Sequence, residues 1–487
     1  VRVAEPRFYP CAANSPPPGR ASAVHAGIAH NARMQAGTLT TEPNRGAAHP
    51  RWRAWTWLPV LLAAFAGQWL LVANPGYFSH DELQWGAFAR QVPPVPWVSW
   101  TDVGTFQYRP LTFNLWLSLS RLLFAQPVAF HAAMVAWGAC NAALACALGR
   151  RFGMTAATAA VGALAFALGP FAAYTDGWVG TIGDLAWVSC ALLAGLACLR
   201  WPRPLPAAIA AAAFTALAFF AKEAAISIPA LLALAWWFDR RRRHWLAATL
   251  AASAVALSYL ALRAGALLHG APEGSQYVVH ASHVPMRWLE YQLFPFMPSE
   301  FEAFSTLAFG IHRPQFVAGV LWLALVAALW RSGSRFALVF LAGGFAALGP
   351  VLLLGMSANQ YGYGFAAIGA MAAAAAWPRA PAWGRAVLLA CALAIAWHGI
   401  ATMRSMRHVG EVQAVFSPAL AAALRDHPGA HLRLRPVVAG ESWIYSRLTF
   451  NIPSYDGVPM GDRVELITGD AQADFLIAPD GTLRRVP

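Results

Sequence analysis

Asp81 and Glu82 stand side by side in Ser79-His80-Asp81-Glu82-Leu83-Gln84-Trp85, within a chain that has only 22 acidic residues in 487. Arg109 follows Tyr108 and precedes Pro110. Asp176 lies in Tyr174-Thr175-Asp176-Gly177-Trp178, Asp184 follows Gly183, and Lys222, the single lysine, precedes Glu223. Carboxylates and cations in otherwise apolar surroundings suit one chemistry well. A sugar leaving a lipid phosphate departs from a group that already tolerates negative charge, so it needs cations rather than a general acid. The acceptor hydroxyl needs a base. A glycoside hydrolase would instead need an acid and a base carboxyl.

Plainer readings stand beside this one. Ser79 or Asp81 can cap a helix whose first turn favours acids. Lys222 can snorkel at a helix end, paired with Glu223. His280 and His283 with Glu290 downstream could suggest a metal site, but spacing fixes no third ligand, so an ordinary interfacial pair is expected. The sequence gives no support for a divalent cation or other cofactor. Trp288, Tyr291, Phe294 and Phe296 read as an aromatic belt or as a roof over a lipid cavity.

The elements that must hold these residues are apolar. Hydrophobic residues make up 58% of the chain and charged residues 12%, with mean hydropathy +0.47. A soluble domain carries about 25% charge. Spans of roughly 17–25 residues are predicted near 54–73, 127–148, 155–174, 184–200, 205–221, 224–238, 245–265, 315–330, 336–355, 365–378 and 385–401. The expected fold is therefore an all-α polytopic membrane protein of about eleven transmembrane helices.

The net charge of +13 is a topology signal rather than a nucleic-acid footprint. Arg150 and Arg151, Arg200 and Arg203, Arg240 to Arg243, Arg331 and Arg335, and Arg379 and Arg385 occupy every second loop between runs. The positive-inside rule then puts the N-terminus in the cytoplasm. Loops 74–126 and 266–314 and a small α/β C-terminal appendage, 402–487, lie outside. The appendage is read as helical at Pro418–Arg425 and as β at Leu432–Val438, Trp443–Phe450, Val464–Ile467 and Phe475–Ile477, with a hairpin turn at Ala478-Pro479-Asp480-Gly481. Residues 1–53 read as a disordered tail, with Met34 a plausible start and no signal peptide before the first run. One cysteine lies in that tail and five in apolar runs, so no disulfide framework is expected.

Asp81-Glu82 after the first span resembles the acidic pair of GT-C glycosyltransferases, notably the protein O-mannosyltransferase-like branch (glycosyltransferase family 39-like). Tyr108-Arg109-Pro110-Leu111, then Pro127 through Phe130-His131, resembles that branch's "RPL … p..fH" stretch. Phe220-Ala221-Lys222-Glu223-Ala224, reaching Pro229, is similar to its "sKE…P" segment. Ser357-Ala358-Asn359-Gln360-Tyr361-Gly362-Tyr363 is a weaker echo of "eRylY". The likeness covers roughly residues 54–365. It implies a GT-C-like transmembrane domain, 54–401, using a polyprenyl-phosphate sugar donor, with a glycan, lipid or protein as acceptor. Asp81 carries over as the base and Glu82 as its support; Arg109 and Lys222 would contact phosphate, with Asp176, Asp184, Glu223 and Tyr361 in the substrate site. Gln360 stands where the family has Arg, and the loop around Asp176 and Asp184 lacks the family's His and Arg.

Two other classes compete. A flippase for lipid-linked glycans should place ionisable residues or broken helices at the membrane midplane, often in repeated halves. An O-antigen polymerase or ligase depends on large late loops. The acids here cluster at one surface after the first span, no repeat is visible, and a bacterial inner membrane is the expected site.

Overall fold

A computed structural model describes residues 56–239, 242–269, 277–308, 310–467, 469 and 471–486. The expected disordered tail, Cys11, and Arg240 and Arg241 of the basic clusters lie outside the described residues. The other five cysteines are free.

The chain is mainly helical, and each of the predicted apolar runs falls on helix. Among the described residues seven helices are long and apolar enough to cross a membrane. They are Pro127–Arg151, Val179–Arg200, Pro204–Ala221, Arg243–His269, Arg313–Ser332, Ser334–Leu353 and Ala382–Asp426. The pair Ala156–Ala167 and Pro170–Gly177, bent by 60°, brings the number to eight if it counts as one span. The runs at 54–73, 224–238 and 365–378 become Trp57–Gly67 with Trp69–Val72, Glu223–Phe238, and Tyr363–Ala376. These are shorter than a straight crossing requires. Length and composition thus support seven or eight crossings of the eleven expected.

Local sequence sets the helix ends that matter for the site. Pro110, Pro127, Pro170 and Pro204 each open a helix, where the missing N–H and fixed φ cost nothing. Between Pro204–Ala221 and Arg243–His269 the buried residues are mostly alanines: Ala207, Ala210, Ala211 and Ala218 against Ala248, Ala252 and Ala256. Lipid tails are as apolar as any side chain, so close approach of small residues replaces hydrophobic drive.

Ala382–Asp426 is one continuous 45-residue helix, which runs unbroken through the domain boundary expected at 401/402. At about 1.5 Å per residue it is roughly twice as long as a hydrocarbon core is thick. Met403, Met406, Val409, Gln413, Phe416 and Leu420 recur at three- and four-residue spacing and are buried, so an amphipathic face carries the helix past its apolar half. It crosses the start of the first loop so closely that a Cβ on Gly410 would lie 1.9 Å from Asn74 Oδ1. One on Gly76 would lie 2.1 Å from the Gly410 carbonyl. Gln413 accepts the Tyr77 N–H (2.8 Å).

The C-terminal unit carries a four-stranded sheet ordered Val464–Leu466, Leu432–Pro436, Phe475–Ile477, Leu483–Arg485. Leu432–Pro436 is parallel to both neighbours, and the last two strands form the expected hairpin, with Gly481 at φ +87° in its turn. Trp443–Phe450, expected as a strand, is corrected to helix: Ser442–Thr449 buries Ile444, Tyr445 and Leu448 on one helical face. Its aromatic and β-branched residues carry strand propensity, and packing overrides it.

Candidate functional site

Ser79 and Glu82 form a reciprocal capping box that starts the helix His80–Ala89. Glu82 is fully buried; one carboxylate oxygen accepts the Ser79 N–H (3.0 Å) and the other the Val179 N–H (3.1 Å). Both of its oxygens serve the backbone, which gives Glu82 a structural task beside Asp81. It ties the first loop to the turn Val179–Thr181. Burial first, then the charge of Asp81, pushes the Glu82 carboxyl up to about 8, against the pull of the Val179 and Ser79 amides. Between the ordinary carboxyl value and about 8 the folded chain holds a proton that the unfolded chain has lost, so stability falls as pH rises through this window. Thermal unfolding from pH 5 to 9 should show a flatter pH dependence for Glu82→Gln than for the wild type. At the acid end the variant should be less stable by about 1 kcal/mol, because its amide nitrogen cannot accept an N–H.

Asp81 points from the same helix and keeps about a fifth of its side chain exposed. Its Oδ1 lies 3.5 Å from His80 Nε2. Burial lowers the His80 pKa, Asp81 opposes this, and Arg447 adds to it. Gly180 is the floor beneath Asp81: a Cβ there would lie 2.5 Å from the Trp178 ring and 2.9 Å from Asp81 Oδ2.

From Gly180 the chain runs directly into a second group of charges. Asp184, fully buried in the first turn of Ile182–Arg200, accepts a close hydrogen bond from the Lys222 ammonium. Lys222 is the extended residue that ends Pro204–Ala221, and its Nζ lies 4.6 Å from the centroid of the Tyr361 ring. Arg109, just before the Pro110 helix, places Nε and Nη2 each 2.8 Å from Glu223 Oε2. Arg263 Nη1 lies 3.7 Å from Glu223 Oε1. The plainer reading, Lys222 paired with Glu223, is therefore not what the fold makes. Adjacent residues at a helix break face different ways, so Lys222 meets Asp184 and Glu223 meets Arg109. Three cations (Arg109, Lys222, Arg263) meet two carboxylates (Asp184, Glu223), which leaves one positive charge in surplus.

Asp176 does not join this group. It is fully buried inside the bundle, where Gln68 Nε2 donates to its Oδ2 (2.7 Å), and a Cβ on Gly138 would lie 2.1 Å from it. The short helix Pro170–Gly177 turns it toward its neighbours in the core, away from the other residues expected in the substrate site. His280, His283 and Glu290 do not converge either. His280 bonds to Ser282, His283 to the Leu353 carbonyl, and Glu290 to Arg287 and Ser357. Among the described residues no three His, Cys, Asp or Glu side chains gather as metal ligands.

Three participants escaped the sequence reading. Arg263 is the one charged residue in the run 245–265, near its end, and a cation within an apolar run is itself a signal. Glu302 and Arg447 are distant in sequence: Arg447 Nη2 donates to Glu302 Oε1 (2.8 Å), and its guanidinium lies 4.5 Å from the Phe78 ring centroid. With Gln84 donating to the Phe450 carbonyl (3.2 Å), this packs the C-terminal unit against the Asp81 helix. A separate apolar cleft of about 420 Å³, lined by Val161, Phe171, Phe296, Phe365 and Ile395, has no acidic or basic wall.

No family model, curated protein or solved structure matches the chain.

Proposed function

We propose that the chain is a membrane glycosyltransferase of GT-C type, which moves a sugar from a polyprenyl-phosphate donor to an acceptor hydroxyl with inversion. The observation that carries the reading is a part-exposed carboxylate, Asp81, joined through the turn at Gly180 to a buried cluster with one surplus positive charge. In the reaction Asp81 takes the acceptor proton as the acceptor oxygen bonds to the anomeric carbon. The bond from that carbon to the phosphate oxygen breaks, and polyprenyl phosphate leaves with its charge met by Arg109 and Lys222. Tyr361 and Asp184 hold Lys222 in place, and Glu223 does the same for Arg109. The proposal includes eleven crossings of a bacterial inner membrane with a cytoplasmic N-terminus, which sets the whole cluster and the C-terminal unit on the outer side.

Asp176 favours a second reading, handling of lipid-linked glycans without transfer. A buried acid within the helices is where a transporter would carry one. The test is the purified chain in proteoliposomes with labelled polyprenyl-phosphate sugar and a membrane extract as acceptor. Release of polyprenyl phosphate is expected. Donor moving across the bilayer with its sugar still attached supports the second reading, and an untouched, unbound donor overturns both.

A further inference from the structure

Residues 91–106 have a composition that resists regular structure: Pro93, Pro94 and Pro96 lack N–H groups, and no helix or strand forms there. In water such a loop leaves its carbonyls to solvent. Here side chains of Asn114, Arg121, Arg263 and Tyr108 take six of them. Asn114 accepts from the Val98 N–H (2.8 Å) and donates to its carbonyl (3.0 Å), and Arg121 donates to the Val95 carbonyl (2.6 Å). Arg263 donates to the carbonyls of Val103 (3.1 Å), Thr105 (2.7 Å) and Phe106 (2.6 Å), and Tyr108 donates to that of Trp100.

The largest side chains that face outward are apolar, set among the smaller or polar Gln91, Ser99, Thr101, Asp102 and Thr105, which are exposed as well. Val92 is 90% exposed, Trp97 55% and Trp100 47%, with Val103 beside them. The segment has no basic residue, and its one acid, Asp102, is tied to Thr105 (2.8 Å). Carbonyls met by protein beneath exposed tryptophans and valines, with polar side chains between them, suit irregular chain at the edge of a bilayer, where amphipathic rings settle. The position agrees. Trp100 packs on Phe220 in the last turn of Pro204–Ala221 (5.5 Å), and Arg263 sits in Arg243–His269 beside the exposed Leu262. The loop surface is thus continuous with two apolar helices that meet lipid.

We propose that residues 91–106 insert Val92, Trp97, Trp100 and Val103 into the headgroup–acyl boundary of the bilayer at this end of the bundle. The insertion sets Arg109 at the depth of lipid phosphates, and it does not depend on the chemistry proposed above. The test uses the full chain with its native cysteines replaced, spin-labelled at Val92→Cys or, as a water-exposed control, at Asp462→Cys. It is reconstituted in vesicles of phosphatidylcholine and phosphatidylglycerol. Collision with oxygen, which partitions into lipid, should exceed collision with a water-soluble nickel chelate severalfold at position 92 and fall below it at 462. Equal nickel access at both sites, or exclusion of both reagents at 92, overturns the proposal. Should the cysteine-free chain fail to fold, benzoylphenylalanine at position 97 in the native background decides. A lipid adduct supports insertion, and a protein adduct or none overturns it.

Discussion

Lys222→Met should lower the thermal unfolding midpoint sharply and remove transfer activity. The ammonium is almost fully buried and its partner Asp184 completely so. Removing one member of such a pair strands the other charge in a medium that cannot solvate it, at a cost of about 3–5 kcal/mol. A loss of activity in that variant alone would not separate collapse of the site from loss of a phosphate contact. The double variant Lys222→Met/Asp184→Asn makes the separation, because no charge is left stranded. Its unfolding midpoint should recover most of the loss while donor turnover stays at the background level. A double variant that regains both stability and turnover would reduce Lys222 to a structural counter-ion and remove the phosphate role.

The pairing on which this rests could not be read along the chain. Lys222 and Glu223 are neighbours, and a linear reading couples them. Only the fold shows that Lys222 adopts an extended conformation at the helix end and reaches Asp184, while Glu223 turns to Arg109. Asp184 and Asp176 look equivalent in sequence, each a lone acid near a Gly and an aromatic. One opens a helix beside the Lys222 break and the other ends a bent helix against Gln68, so their surroundings diverge. The positions of the apolar helices were legible because composition alone decides them. The lower half of Ala382–Asp426 was not, since its charged residues mask a periodicity that only burial reveals. Arg447 could not be reached from sequence at all. It comes to the site from the far end of the chain, through a helix whose residues favour strand.

Asp81→Asn should reduce transfer by on the order of 10²–10⁴-fold, the usual contribution of a positioned base, while leaving folding unaltered. The two halves of that expectation have separate grounds. Asp81 keeps part of its side chain in contact with solvent, and the imidazole 3.5 Å from it, His80, is held toward the neutral form by burial. Asparagine of the same shape strands no charge there, so the unfolding midpoint should stay within the range of a surface substitution, about ±0.5 kcal/mol. The neighbouring Glu82→Gln should behave in the opposite way, losing stability through its capping box while retaining measurable turnover. Measured together in one proteoliposome assay, with unfolding followed in parallel, the two variants assign the adjacent carboxylates to different work. Undiminished transfer by Asp81→Asn would remove the base from the proposed reaction. The cation cluster would then be left to bind a phosphate without acting on it.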